Sequence, residues 1–280
     1  MPTVNVNGYD LYYQDDDFVE PWQTHDAVFM QHYILGSGAE FQAWVPTLAS
    51  EFRVIRLDRR GSGHSDKPGL DYQYKLDDII SDFVGALDAL AIEKVHFIGQ
   101  SLGGMLGAVF AATYPERVKS LVLCATPCFI NNAVKADFAH EGYQDAPSAV
   151  MEMGSWAWAH AQFLRNRHAK ATLTSDLSAL HRAQQTALMP AHVIASLMRM
   201  VGEEDFNIMP YLRHIKTPTL LLSPEASHST SLEEQAMMKD TITGCEQVVF
   251  EGARHGITWS QPRRCAEESL GFIRRYSNRC

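Results

Sequence analysis

Apolar and polar positions divide the chain into three stretches of different rhythm. In the first, short β-branched and aromatic runs alternate with longer segments of helical spacing. Val4 to Gln14 alternates around Asn7-Gly8, a pair suited to a tight hairpin turn. Ala27 to Gln31 and Phe52 to Asp58 read as strands. From Leu76 to Leu90 the apolar positions Ile79, Ile80, Phe83, Val84, Leu87 and Leu90 recur at the period of a helix. Val95-His96-Phe97-Ile98 is a further buried strand, Gly104 to Ala112 a helix stopped by Pro115, and Val118 to Cys124 another buried strand.

From Thr126 to Ile215 the strand signals vanish. Met151 to Leu164, Thr172 to Leu188 and Pro190 to Val201 carry helical spacing, with Pro190 placed at a helix start. The third stretch returns to the first rhythm. Thr217 to Ser223 and Glu246 to Phe250 are strands, Leu232 to Asp240 is a helix, and a last helix runs from Pro262 to Tyr276. Strands alternating with helices predict an α/β fold with a mostly parallel sheet and helices on both faces. The expected organisation is one core made of residues 1–125 and 216–280, with a helical cap, residues 126–215, inserted into it.

Composition narrows the classes of function. A hydrophobic fraction of 46% in 280 residues suits one sizeable globular core. A net charge of −9 without a Lys/Arg cluster argues against nucleic acid and anionic membranes as partners. No apolar run is long enough to span a bilayer, and the first residues lack the basic-then-apolar pattern of a secretory signal. Five scattered cysteines without a C-x-x-C pair read as reduced thiols, so a cytoplasmic location is expected. No H-E-x-x-H spacing is present, and neither a metal nor a cofactor is expected. Oligomeric state is left open, a homo-oligomer included.

The candidate chemistry lies where the strand at Val95 meets the helix at Gly104. Gly99-Gln100-Ser101-Leu102-Gly103 is a Gly-x-Ser-x-Gly motif in a strand-to-helix turn, the setting of a nucleophile elbow. Such a turn needs close backbone approach at Gly99 and Gly103, and it lifts the Ser101 hydroxyl over the sheet. The Leu102 N–H, at the helix start, is placed to meet an oxyanion. A serine hydroxyl is a weak nucleophile at neutral pH and needs a base, for which a histidine is suited.

Four segments together resemble the α/β-hydrolase superfamily: the loop led by His32 after an early strand, Asp58-Arg59-Arg60-Gly61-Ser62-Gly63-His64-Ser65, Gly99-Gln100-Ser101-Leu102-Gly103-Gly104, and Gly252-Ala253-Arg254-His255. Phe41 to Ser65 and the cap look most like 3-oxoadipate enol-lactonases and related small ester and lactone hydrolases. The resemblance implies the α/β-hydrolase fold, with Ser101 as nucleophile and His255 as base. For the triad acid it points to the loop after Leu220-Leu221-Leu222, where Ala226 occupies the usual acid position and Glu225, one residue earlier, is the best carboxylate available. A Ser-His dyad stays open beside it. By the same resemblance Ile34 is the second oxyanion donor, with Tyr33 as the alternative. His32 holds that loop, Gln100 stands beside the nucleophile, and Trp156, Trp158 and Phe163 in the cap either line the substrate pocket or pack cap against core. Arg59 and Arg60 are read as structural.

These readings converge on a cofactor-independent serine hydrolase acting on a small ester or lactone through an acyl-enzyme. Two alternatives remain at this point: a C–C bond hydrolase of a diketone on the same fold, and a receptor or scaffold that has lost turnover.

Overall fold

The computed structural model describes residues 1–165, 176–202, 206–227 and 229–277. Eight strands form one sheet: β1 (Thr3–Val6), β2 (Tyr9–Asp16), β3 (Ala27–Gln31), β4 (Arg53–Leu57), β5 (Val95–Gln100), β6 (Val118–Cys124), β7 (Thr219–Pro224) and β8 (Glu246–Phe250). Their spatial order is β1-β2-β4-β3-β5-β6-β7-β8. The six strands from β4 to β8 in that order run parallel, and the β1–β2 hairpin joins antiparallel at one edge. Asn7 and Gly8 take φ of 53° and 81° at the hairpin turn, as the alternation around them predicts.

Side chains of the parallel strands alternate between two cores, because successive residues of a strand face opposite ways. Phe29 and Phe97 face one side, in edge contact at 5.6 Å, with Phe83 of α2 (Leu76–Ala89) and Phe110 of α3 (Leu102–Thr113) packed over them. Val28, Met30, Ile98 and Val122 face the other side, against Phe41, Trp44, Leu48 of α1 (Val45–Leu48) and the buried face of the C-terminal helix, Pro262–Ile273.

The strand order reverses between β3 and β5, since β3 leads on to β4 in one direction and to β5 in the other. That reversal opens a crevice at the carboxyl ends of the strands. The loop led by His32 leaves β3 there, and Ser101 leaves β5 beside it.

Helices occupy most of the chain between β6 and β7: α4 (Asn132–Phe138), α5 (Ala146–Met153), α6 (Ser155–Arg165), α7 (Asp176–Thr186), α8 (Ala191–Gly202) and the short α9 (Met209–Leu212). The helix expected from Met151 to Leu164 is in fact two. Gly154 takes φ of 78° and breaks it, so α5 and α6 meet at an angle set by a residue that tolerates this conformation. Asn131 caps α4 through its side chain, a start that the apolar spacing alone did not reveal. Their buried residues, Trp158, Val193, Ile194 and Met198 among them, continue the core on the α2/α3 side of the sheet. Among the described residues no helix is long and apolar enough to cross a membrane.

Candidate active site

The turn after β5 is tight. Ser101 sits at φ 53° and ψ −117°, a strained conformation for a residue with a side chain. The strain is held in place by the neighbouring backbone: Ser101 N–H donates to Cys124 O at 2.9 Å, and Ser101 O accepts from Gly104 and Met105. A Cβ on Gly99 would collide with the Gly103 carbonyl, and one on Gly103 with the Gln31 carbonyl. Both glycines are therefore required by close approach of backbone to backbone. The Ser101 hydroxyl meets His255, which follows β8, with Oγ 3.0 Å from Nε2. Both residues line a cavity of about 490 Å³ under the helices between β6 and β7.

The loop after β3 forms the wall expected to hold the oxyanion donors. Arg59 donates to the carbonyls of His32 at 2.6 Å and Tyr33 at 2.8 Å, and His32 Nδ1 also lies 2.8 Å from the Tyr33 carbonyl. In a trans peptide C=O and N–H point in opposite directions. Pinning the Tyr33 carbonyl inward therefore turns the Ile34 N–H outward, and Ile34 lines the cavity. The Leu102 N–H is one of those that a helix start leaves without an intrahelical acceptor, and Leu102 lines the cavity as well. The Tyr33 N–H, by contrast, donates to the Glu40 carboxylate at 3.2 Å. This corrects the expectation for Tyr33: its amide is already used, while its ring forms part of the wall.

His32 is fully buried, and burial beside Arg59 holds its imidazole well below the ordinary titration range, hence neutral. Its Nε2 accepts from the Arg59 N–H at 3.3 Å, which requires the proton on Nδ1. His32 thus braces the loop from behind and does not line the cavity. Burial also pushes the Arg59 guanidinium down to about 10. Arg60 pairs with Asp82 at 2.6 Å beneath Tyr9 and Tyr72, away from the site. Gln100 is likewise buried, reaching the His255 carbonyl at 3.5 Å, and is absent from the cavity wall.

Glu225 is not brought to His255. The loop after β7 is stitched to the one after β8 by Glu225 N–H to Phe250 O and Ala226 N–H to Ala253 O, at 3.1 and 2.8 Å. This register turns the Glu225 carboxylate to the surface, where it accepts from the Gly252 N–H at 2.7 Å. Among the described residues, the Ser227 hydroxyl lies 3.5 Å from His255 Nδ1. Ser227 Oγ is in turn 3.2 Å from the Thr230 amide and 2.8 Å from its hydroxyl. The motif reading looked for a carboxylate in this loop and passed over the hydroxyl two residues on.

Trp156 and Trp158 do not line the cavity either. Trp156 is half exposed and packs on His160, whereas Trp158 is fully buried against Phe138 and His140. The Phe163 side chain lies outside the described residues. The wall is made instead by Ile130, Val134, Phe138, Met198, Val201 and Trp259, none singled out from the sequence. Trp259 lies four positions after His255, in the short helix Ile257–Ser260. Lys135 and Arg199 stand among the liners too, with Lys135 Nζ bonded to the Gly202 carbonyl at 2.7 Å.

The profile of the alpha/beta hydrolase fold family matches residues 26–262. The chain is similar to 3-oxoadipate enol-lactonase 1 of Acinetobacter baylyi, 27% identical over 85% of each chain. It is also similar to 2-hydroxymuconate semialdehyde hydrolase of a Pseudomonas species, 42% identical over 35% of this chain and 38% of that one. Among solved structures, the enol-lactonase of Burkholderia xenovorans has the same fold, with a TM-score of 0.81 at 21% identity over 97% of this chain and 99% of that one.

Proposed function

The chain belongs to the alpha/beta hydrolase fold family, and on that premise we propose that it is a cofactor-independent serine hydrolase cleaving a small ester or lactone through an acyl-enzyme. The observation that carries this reading is the 3.0 Å contact between Ser101 Oγ and His255 Nε2 at the wall of a mostly apolar cavity. Ser101 Oγ attacks the acyl carbon while His255 Nε2 takes its proton. The tetrahedral oxygen receives the Leu102 and Ile34 N–H groups, both fixed before substrate arrives. Imidazolium returns the proton to the leaving oxygen, which departs as an alcohol or, from a lactone, stays attached as a hydroxyl. Water, deprotonated by His255, then releases the acid and restores Ser101.

In this reading the Ser227 hydroxyl, held by Thr230, helps to orient the His255 ring so that Nε2 stays turned to Ser101.

A panel of p-nitrophenyl esters and simple lactones tests the proposal, with fluorophosphonate labelling of Ser101 beside it. Hydrolysis and labelling that both vanish in Ser101→Ala support it. A wild-type protein that neither hydrolyses nor labels would point to a binding protein on this fold. The likeness to a semialdehyde hydrolase over a third of the chain favours a second reading, C–C cleavage of a diketone. Product masses separate the two, because C–C cleavage gives an acid plus a ketone or dienol.

A further inference from the structure

Glu40 is a buried carboxylate that the mechanism above does not use. It lies in the 3₁₀ segment Gly38–Trp44, between the β3 loop and the short helix Ile257–Ser260 that follows His255. One carboxylate oxygen accepts the Tyr33 N–H at 3.2 Å, and the other accepts the Thr258 hydroxyl at 3.4 Å. The same segment reaches the His255 side a second time, through the Trp44 indole N–H to the Thr258 carbonyl at 3.1 Å. We propose that Glu40 is a positioning residue: by bridging Tyr33 and Thr258 it fixes the spacing between the Ile34 amide and the His255 imidazole.

The oxyanion donor and the base sit on different loops, from opposite ends of the chain, and each is one to three residues from an atom that Glu40 holds. Catalysis by fixed donors fails if they must reorganise as charge develops. Burying a carboxylate is costly, and packing alone would be served by an apolar residue of the same size. The titratable groups near Glu40 include the Arg182 guanidinium from α7, the Arg59 guanidinium after β4, the Tyr33 phenol and the buried Cys124 thiol. Arg182 lies 3.7 Å over the Trp259 ring, so the helices above the site meet the same cluster. Burial, opposed by these cations, leaves the Glu40 carboxyl pushed up to about 7. The bridge survives protonation, since a carboxylic acid accepts from Tyr33 with one oxygen and donates to Thr258 with the other.

This inference rests on the serine-hydrolase reading, and the experiment keeps the two apart. Steady-state kinetics on the best ester of the panel are run for wild type, Glu40→Ala, Glu40→Gln and Thr258→Val, with hydrogen exchange at the Tyr33 amide measured on each. Glu40→Ala is expected to lower kcat by about ten- to a hundredfold with KM within about twofold, because the loss falls on the transition state. Thr258→Val, which cuts one of the two bonds, lowers kcat severalfold. Glu40→Gln accepts from Tyr33 and donates to Thr258, so it keeps kcat within about threefold. Tyr33 exchange should quicken about tenfold in Glu40→Ala and stay slow in Glu40→Gln. A folded Glu40→Ala with unchanged kcat, a loss confined to KM, or a Gln variant as damaged as Ala would overturn the proposal. Should Glu40→Ala not fold, an unchanged kcat in Thr258→Val overturns it equally. If the wild type hydrolyses nothing, the hydrolase reading fails by itself, and unaltered Tyr33 exchange in the Glu40 variants still decides against the bridge.

Discussion

His255 Nε2 stands 3.0 Å from Ser101 Oγ, across 154 positions of sequence. Two groups that act as one unit lose their effect together. Ser101→Ala and His255→Ala should each lower kcat by about 10⁴-fold or more, and the double variant should be no slower than either. Residual activity within about tenfold of wild type in Ser101→Ala, measured on homogeneous protein, would remove Ser101 from the nucleophile's role.

The loop after β7 offers a sharper contrast. Glu225 is bonded to the Gly252 amide at the surface, and Ser227 faces the imidazole. Glu225→Gln should therefore change kcat by less than about threefold, whereas Ser227→Ala should lower it by about fivefold by freeing the ring to turn, since one neutral hydrogen bond is worth roughly 1 kcal/mol. Ala226→Asp, which puts a carboxylate at the usual acid position, is the informative gain: a rise in kcat would show that the imidazolium is under-stabilised in the native chain.

Glu40 also carries a signature in stability. Its folded carboxyl is pushed up to about 7 from an ordinary 4.5. Between those values the unfolded chain has lost a proton that the folded one keeps, so stability falls as pH rises through this window and stays lower above it. Glu40→Gln removes that penalty. Its Tm should exceed the wild-type value at pH 8 and lose the advantage below about pH 4.5, which thermal melts at four or five pH values will show.

His96 works in the opposite direction. Buried between Ser120 at 2.7 Å and Asp26 at 3.4 Å, it is pushed down to about 4 from an ordinary 6.5, chiefly by desolvation. The unfolded chain takes up a proton there that the folded chain refuses, so stability is lost as pH falls from 6.5 towards 4. His32, held down by burial and by Arg59, adds to the same acid limb. His96→Gln should flatten this part of the Tm-against-pH curve.

Substrate preference is written in the cavity wall. Met198 of α8 is buried and lines the cavity beside Val201. Met198→Trp fills space that an acyl chain would use. The ratio of kcat/KM for an octanoyl over an acetyl ester should fall about tenfold, with little change for the acetyl ester, because a few buried methylenes are worth about 1–3 kcal/mol of discrimination.

The sequence by itself determined what depends on neighbours along the chain. The period of apolar positions marked every strand of the parallel sheet, and the Gly-x-Ser-x-Gly turn marked Ser101, since strain and close approach there are set by five consecutive residues. The Asn7-Gly8 hairpin was legible for the same reason. What only the tertiary structure decided depends on how separate loops cross. Glu225 and Ser227 lie two residues apart, and which of them meets His255 is fixed by the register between the β7 and β8 loops, through Ala226 N–H and Ala253 O. That the Tyr33 amide is taken follows from a carboxylate seven residues on, and its carbonyl is held by an arginine beyond β4. Trp156 and Trp158 are equivalent as letters, but two positions on a helix point about 200° apart, so the rotation of α6 exposes one and buries the other. Local sequence sets backbone conformation, while the site's partners come from long-range packing, in which one hydrogen bond between loops selects the side chain that reaches the imidazole.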